Sequence, residues 1–190
     1  NLVCFTTPVD FSQMTMFRAL SDPRHFDVDK LCDKVDVVPS DMVVAGFDAL
    51  RPAARIAGQV RLWDNMWNDD YVKGYRMMER WGAETLPLAS EYFRQITKQL
   101  MQNNALYEGT LQIGGQLVDL KRVKLPLLHV IAQYDHIVPP ACAQPLMQRV
   151  RSRDKQEVML PGGHVSLVAG GNAVFRLWPQ LDRWLSVRDV

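Results

Sequence analysis

An apolar run from Leu125 to Ala132, interrupted only by His129, constrains the fold of this chain more than any other segment. A strand with one solvent-exposed face would alternate apolar and polar residues, so a run without alternation is typical of a strand covered on both faces. A second, shorter run of this kind spans 156–160, and the residues from about 141 to 150 have helical character despite Pro145. The order strand, helix, strand predicts parallel pairing through a right-handed crossover. The predicted fold class is therefore α/β.

The two ends of the chain add to this predicted core. Residues 1–7 are apolar and β-prone, and Pro8 cannot continue a strand ladder, so a further buried strand is predicted there. Residues 173–187 repeat apolar side chains at helical spacing, which predicts a helix with one buried face. We therefore assign residues 1–9 and 110–190 to one α/β core.

Residues 10–109 have a different character, with Met, Trp and Tyr at helical intervals and repeated prolines, which predicts a mainly helical insertion. Its clearest helix is predicted to follow Thr85, which can cap the first turn, with Pro87 inside that turn. Five aromatic residues are interpreted as packing within the insertion, with a ligand-binding cradle as the alternative; they are Trp63, Trp67, Tyr71, Tyr75 and Trp81.

The segment 110–120 has two arms of alternating residues on either side of Gly114 and Gly115. Because both glycines can take positive φ, the segment predicts a tight β-hairpin. This hairpin would link the insertion to the last part of the core.

Charge and composition exclude several classes of protein. The chain has 22 basic and 21 acidic residues with no sustained run of either sign, so nucleic acid is not an expected partner. No apolar stretch is long enough for a transmembrane segment. Cys4, Cys32 and Cys142 are widely spaced, which favours free thiols in a reducing cytosol over disulfides or a metal site.

Two loops carry polar side chains where the predicted parallel strands end. Asp135 follows the first apolar run, and His164 follows Gly162 and Gly163 after the second. Ligand sites of open parallel sheets form at this edge. An aspartate can fix the tautomer of an imidazole that serves a nucleophile as its base, and the order acid then histidine is that of the α/β-hydrolase triad. Asp135 and His164 are therefore the candidate catalytic residues.

Each of these side chains also has a structural interpretation. Asp135 could cap the following helix, and His164 could be an ordinary loop residue. His129, inside the apolar run, is interpreted as a hydrogen-bonded core residue, and His25 as a solvated one. His136 adjoins Asp135, and its role is either structural or substrate-positioning, in a second layer around the site.

Several segments resemble the polyhydroxyalkanoate synthases, most closely the shorter catalytic subunits of that family. The resemblance covers nearly the whole chain and rests mainly on the turns 135–140 and 162–165. It is supported by residues 1–11, by Phe47 with Arg51-Pro52, and by the segment 78–81. It implies the C-terminal portion of an α/β-hydrolase fold, with the insertion as a helical cap.

The resemblance also implies a chemistry. In that family a glycine-flanked cysteine attacks the thioester of a 3-hydroxyacyl-coenzyme A, a histidine activates the cysteine, and an aspartate orients the histidine or activates the substrate hydroxyl. These last two roles fall on His164 and Asp135. Because none of the three cysteines lies between the required glycines, the nucleophile is expected before Asn1, and the isolated chain is expected to be inactive.

The function implied by the resemblance is thus an acyltransferase that polymerises 3-hydroxyacyl groups. An ester hydrolase such as a polyester depolymerase, and a non-catalytic fragment, are the alternatives. The implied partners are 3-hydroxyacyl-coenzyme A, the growing polyester, a second copy bound through the cap, and a second synthase subunit. No cofactor is expected, and the implied location is the cytoplasm, including the surface of polyester granules.

Overall fold

The computed structural model of the protein describes residues 1–188. These residues form two compact units, one made by Asn1–Arg18 together with the chain from Gln99 onward, and the other by Ala19–Lys98. The described strands are β1 (Leu2–Phe5), β2 (Val37–Val38), β3 (Leu88–Ala89), β4 (Gln112–Ile113), β5 (Gln116–Leu117), β6 (Leu127–Ala132) and β7 (Lys155–Leu160).

The α-helices of the described residues are mostly short. They are α1 (Thr15–Leu20), α2 (Val28–Cys32), α3 (Ser40–Asp48), α4 (Pro52–Asp64), α5 (Asp69–Ala83), α6 (Ser90–Gln95), α7 (Ala105–Glu108), α8 (Pro140–Ala143), α9 (Pro145–Arg149), α10 (Gly170–Asn172) and α11 (Trp178–Ser186). Three 3-10 turns (Phe11–Gln13, Leu120–Arg122 and His164–Leu167) and two π-helical segments (Ile96–Gln102 and Ala173–Leu177) complete the set. Within residues 1–188, no helix is both long and apolar enough to cross a bilayer.

A parallel sheet with the strand order β1–β6–β7 forms the centre of the first unit. Leu127 is aligned with Leu2 on one side and with Lys155 on the other, so the three strands end at the same edge. The helices α8 and α9 lie in the crossover from β6 to β7. The predicted α/β fold class and the parallel pairing are confirmed. The strand β6 begins at Leu127, later than predicted, because Pro126 has no N–H for the ladder.

Two layers of apolar side chains cover the two faces of β6. Leu128, Val130 and Ala132 pack on one face against a cluster that includes Leu177 and Trp184. On the opposite face, Leu127 packs with Val9, Leu146 and Val150. Because successive side chains of a strand point to opposite faces, burial on both sides requires the unbroken apolar run that the sequence shows.

The last helical stretch has one buried face, as predicted, but only part of its apolar residues lie on that face. Leu177 and Trp184 are buried, and Leu181 packs against the same cluster. These three residues are spaced at i, i+4 and i+7, which places them on one side of a helix. Trp178 and Leu185, one position further along in each case, lie beside that stripe and are exposed.

The predicted hairpin is confirmed in the first unit. The strands β4 and β5 pair antiparallel, with Gln112 opposite Leu117. Gly114 and Gly115 connect them with φ values of 57° and 76°. Positive φ at both central residues is the conformation that the right-handed twist of a two-residue hairpin favours, and glycine adopts it without steric cost.

The second unit is largely helical, and charged side chains join two of its helices. Arg94 of α6 donates to Asp29 of α2 and to Asp33, both at 2.7 Å, and Lys98 donates to Asp29 at 2.7 Å. The hydrogen bonds and charges of Lys98 and Arg94 lower the pKa of Asp29. The predicted insertion, 10–109, extends past this unit at both ends, since residues 10–18 and 99–109 lie in the first unit.

The helix predicted to start after Thr85 begins later, at Ser90. Leu88 and Ala89 pair instead with Val38 and Val37 in a short antiparallel ladder. The hydroxyl of Thr85 donates to the carbonyl oxygen of Gly82 and so satisfies the end of α5 rather than the start of a new helix. A contact between segments about 50 residues apart therefore overrides the local capping signal.

The interpretation of the tryptophans as packing residues is wrong for Trp63, Trp67 and Trp81. All three are exposed, Trp67 by 79%. Trp63 shares one face of α4 with Ile56 and Val60, which are exposed as well, so this apolar face is open to solvent.

Candidate active site

Asp135 lies in the turn that follows β6, and main-chain groups fix its carboxylate. Its Oδ1 accepts hydrogen bonds from the amides of Ile137 and Val138, each at 2.9 Å. The side chain closes its own turn in this way, as aspartates commonly do. It does not cap the next helix, because α8 begins at Pro140, with Pro139 as its N-cap and no side-chain cap hydrogen bond.

His164 follows β7 through a turn that requires glycine. Gly162 has a φ of 129°, and a side chain at this position would collide with the hydroxyl of Ser166. That hydroxyl donates to the carbonyl oxygen of Gly163 at 2.6 Å. The amide of Tyr134 donates to the carbonyl oxygen of Gly162 at 2.9 Å, which joins this loop to the loop of Asp135. The two loops are therefore held together by their backbones as well as by their side chains.

The side chains of Asp135 and His164 meet at this edge of the sheet. The distance between His164 Nδ1 and Asp135 Oδ2 is 2.7 Å, so the predicted approach of the two residues is confirmed. The Asp135 side chain is fully buried, whereas that of His164 is 34% exposed. Since a carboxylate can only accept, Nδ1 carries the proton, and Nε2 is left to exchange a proton with a reacting group.

Opposing effects determine the pKa of Asp135. Burial acts to raise it, but hydrogen bonds from His164, Val138 and Ile137 and the charge of His164 outweigh burial and lower the pKa. The carboxylate is therefore ionised at neutral pH. An ionised acceptor is the form that can hold the Nδ1–H tautomer and stabilise an imidazolium during a reaction.

Sequence reasoning missed a third side chain at this site, that of Thr6. It lies just after β1, is 4% exposed, and has a φ of 40°. Its Oγ1 is 3.5 Å from Nδ1 of His164. No local motif marks this residue, because its position near His164 depends on the alignment of β1 with β6.

The other histidines lie elsewhere. His129 is fully buried in β6, and its Nδ1 donates to Oε2 of Glu157 at 3.1 Å. It is a core residue as predicted, but its Nε2 has no hydrogen-bond partner among residues 1–188. His136 is exposed beside Asp135, and His25 is exposed in the second unit. The role predicted for His136 stays a prediction.

The three cysteines have environments that disfavour a thiolate. Desolvation raises the pKa of Cys4 and of Cys32, and it raises that of Cys142 to about 12. Reactive cysteines have the opposite character, since the thiolate is the nucleophile and is stabilised by positive charge or a helix N-terminus.

The parallel sheet, the crossover helices, and an acid and a histidine in this chain order are features of the α/β-hydrolase class, and the chain has this fold. Comparison with known proteins gives the family. The poly(3-hydroxyalkanoate) polymerase subunit PhaC of Allochromatium vinosum is 35% identical over 191 aligned positions, which cover 99% of this chain and 53% of that protein. The corresponding subunit of Thiocystis violacea is 34% identical, over 100% and 53% of the two chains.

The chain belongs to the family of these polymerase subunits, and it spans about half the length of the curated relatives it matches. No protein-family model matches it. Among solved structures, the monoacylglycerol lipase of Paleococcus ferrophilus is similar with a TM-score of 0.33 and 15% identity, over 53% of this chain and 32% of the lipase. An α/β-hydrolase from a deep-sea metagenome library is similar with a TM-score of 0.37 and 13% identity, over 98% and 54% of the two chains.

Proposed function

We propose that this chain supplies the base and the acid of an acyltransferase that polymerises 3-hydroxyacyl groups from coenzyme A thioesters. The observation that carries the proposal is the 2.7 Å contact between His164 Nδ1 and Asp135 Oδ2, at the edge of the sheet where such sites form. The match to polymerase subunits along the whole chain supports the choice of reaction. In this proposal the chain is the C-terminal part of such an enzyme. The nucleophilic cysteine of the enzyme then lies outside these residues.

In the proposed reaction, Nε2 of His164 takes the proton of the cysteine thiol. The thiolate attacks the thioester carbonyl, the bond between carbon and the coenzyme A sulfur breaks, and the imidazolium returns its proton to the departing thiolate. The hydroxyl of a 3-hydroxyacyl group then attacks the acyl-cysteine thioester and gives its proton to His164, the bond between carbon and the cysteine sulfur breaks, and His164 passes the proton to that sulfur. The new ester bond extends the polyester, and the cysteine is released as a thiol.

The geometry favours one of the two roles that the resemblance allows for Asp135. Its Oδ1 is occupied by two backbone amides and its Oδ2 by His164, and its side chain has no exposed surface. A group that activates a substrate hydroxyl must come within hydrogen-bond reach of it. Asp135 is therefore proposed to orient His164 and to stabilise its protonated form, rather than to contact the substrate.

The proposal extends to partners and location. The growing polyester is the second substrate, and no cofactor is required. The exposed apolar side chains of α4 and α5, such as Trp63 and Trp81, support contact with a second copy of the chain through the insertion. A second synthase subunit is a further proposed partner, and the proposed location is the cytoplasm.

The test is the release of coenzyme A from 3-hydroxybutyryl-coenzyme A by the full-length enzyme that carries this segment. Replacement of the base in His164→Ala should lower the turnover rate by on the order of 10³-fold or more without loss of the fold. His25→Ala, at an exposed histidine of the second unit, is the matched control and should keep the wild-type rate.

Near-normal polymerisation by His164→Ala would refute the proposed base. A second substrate distinguishes the hydrolase alternative. An enzyme that releases 3-hydroxybutyrate from preformed polyester, but no coenzyme A from the thioester, would be an ester hydrolase rather than a polymerase.

A further inference from the structure

We infer that Thr6 is a positioning residue for His164. The inference deepens the proposed function and rests on it, since it concerns the base of the same site. Thr6 Oγ1 lies 3.5 Å from His164 Nδ1, the nitrogen that also contacts Asp135.

The three residues that meet at this contact each follow a different strand of the parallel sheet. Thr6 follows β1, Asp135 follows β6 and His164 follows β7. The amide of Thr6 donates to the carbonyl oxygen of Val130 at 2.8 Å, which extends the pairing of β1 with β6 by one residue. The position of Thr6 is therefore fixed relative to the strand that leads to Asp135.

The backbone of Thr6 is strained. Its φ of 40° lies in the left-handed region, which is a marked outlier for a β-branched residue. Glycine would make the same turn without steric cost. A strained residue beside a reactive group is a known sign of a functional side chain, because the surrounding fold must compensate for the strain.

The side chain of Thr6 can restrict a tilting motion of the His164 imidazole that the carboxylate of Asp135 alone leaves free. One hydrogen bond from Nδ1 to Asp135 fixes the tautomer but leaves the imidazole free to tilt about that contact. Thr6 Oγ1 gives Nδ1 a second side-chain contact beside Asp135 Oδ2, so the imidazole meets two side chains at this nitrogen rather than one. With only 4% of its surface exposed, Thr6 also shields the Nδ1–H from water. Nε2 is thereby aimed at a constant position.

Two threonines in sequence allow a matched test in the full-length enzyme. Thr6→Val keeps the shape, the β-branch and the strained φ but removes the hydroxyl. Thr7→Val removes the neighbouring hydroxyl, which contacts Cys4 instead. Thr6→Val should lower the rate of coenzyme A release by about tenfold, the scale expected from a small misplacement of a reacting group. Thr6→Ser should keep most of the rate, and Thr7→Val should leave it unchanged.

A readout that does not depend on activity is the exchange of the His164 Nδ1 proton with water, followed by NMR. Thr6→Val should make this exchange faster, whereas Thr7→Val should not change it. A Thr6→Val enzyme with the wild-type rate and the wild-type proton exchange would overturn the inference. If His164→Ala itself leaves coenzyme A release unchanged, the proposed function fails, and the proton exchange still tests the contact between Thr6 and His164.

A third variant separates positioning from a merely structural role. Thr6→Gly removes the backbone strain, so its melting temperature should equal or exceed that of the wild type. Its rate of coenzyme A release should nevertheless fall as in Thr6→Val. A more stable Thr6→Gly enzyme with full activity would show that the side chain has no use at this site.

Discussion

Among single residues, the buried His129 and its partner Glu157 affect the stability of the protein rather than its catalysis. His129 is fully buried, and desolvation lowers its pKa from 6.5, although the hydrogen bond and the charge of Glu157 act in the opposite direction. Only one of its two ring nitrogens has a partner within residues 1–188. The native protein therefore holds a neutral histidine that becomes protonated more readily when the chain unfolds.

This linkage predicts the pH dependence of stability. Below about pH 6.5, the unfolded chain binds a proton at His129 that the native protein does not, so the free energy of unfolding falls as the pH falls. The slope should approach about 1.4 kcal/mol per pH unit until the lowered native pKa is reached. Urea unfolding between pH 7 and pH 5 measures this slope. His129→Leu should reduce it, His25→Leu should keep it, and an unchanged slope in His129→Leu would contradict the account.

Two of the three side chains at the candidate site could be predicted from the sequence, and the third could not. Asp135 and His164 could be predicted because each directly follows an apolar run, and parallel strands end at one edge. Thr6 could not, because it lies 158 positions from His164 and its part in the site depends on a positive φ. The two amide hydrogen bonds to Asp135 Oδ1 were likewise not visible in the sequence, although they favour an orienting role for this residue.

At the scale of elements, the turn from β7 to His164 is the most sharply constrained connection in the first unit. A Cβ at Gly162 would lie 2.3 Å from Ser166 Oγ, and the φ of 129° is strained for any other residue. Gly163 has an ordinary extended φ of −97°, and a Cβ there would meet only the carbonyl oxygen of Tyr134, at 3.9 Å. Two adjacent glycines thus have different structural requirements.

We therefore predict opposite outcomes for two neighbouring substitutions. Gly162→Ala should lower the free energy of unfolding by about 2 kcal/mol or more, because it combines backbone strain with a collision. It should also displace His164 and reduce the rate of coenzyme A release. Gly163→Ala should change the free energy of unfolding by less than about 1 kcal/mol. Thermal and urea unfolding of the two variants measure the difference, and equal effects would contradict this reading of the turn.

Whether an element could be predicted depended on how local its cause is. The hairpin β4–β5 follows from two adjacent glycines, and it was predicted correctly. The start of α6 was not, since Leu88 and Ala89 pair with Val38 and Val37, about 50 residues earlier. Capping signals at Thr85 and Pro87 are local, and pairing with a distant segment overrode them.

At the scale of the whole molecule, the site uses every strand of the parallel sheet. The strand β6 lies between the other two, with all six residues buried, and it sets the register of both neighbours. The apolar run that defines β6 therefore fixes both the core and the place where Thr6, Asp135 and His164 meet. The exposed tryptophans of the second unit could not be foreseen in the same way, since helical spacing shows which side chains share a face but not whether a partner covers it.

Asp135 and His164 are proposed to act as one catalytic unit, and a double-mutant cycle tests this proposal. The rate of coenzyme A release from 3-hydroxybutyryl-coenzyme A should be measured for Asp135→Asn, His164→Ala and the double variant of the full-length enzyme. Each single change should lower the rate by on the order of 10³-fold or more. The double variant should be no slower than His164→Ala, because residues that act as a unit are not additive. A double variant whose loss is the product of the two single losses would contradict the account.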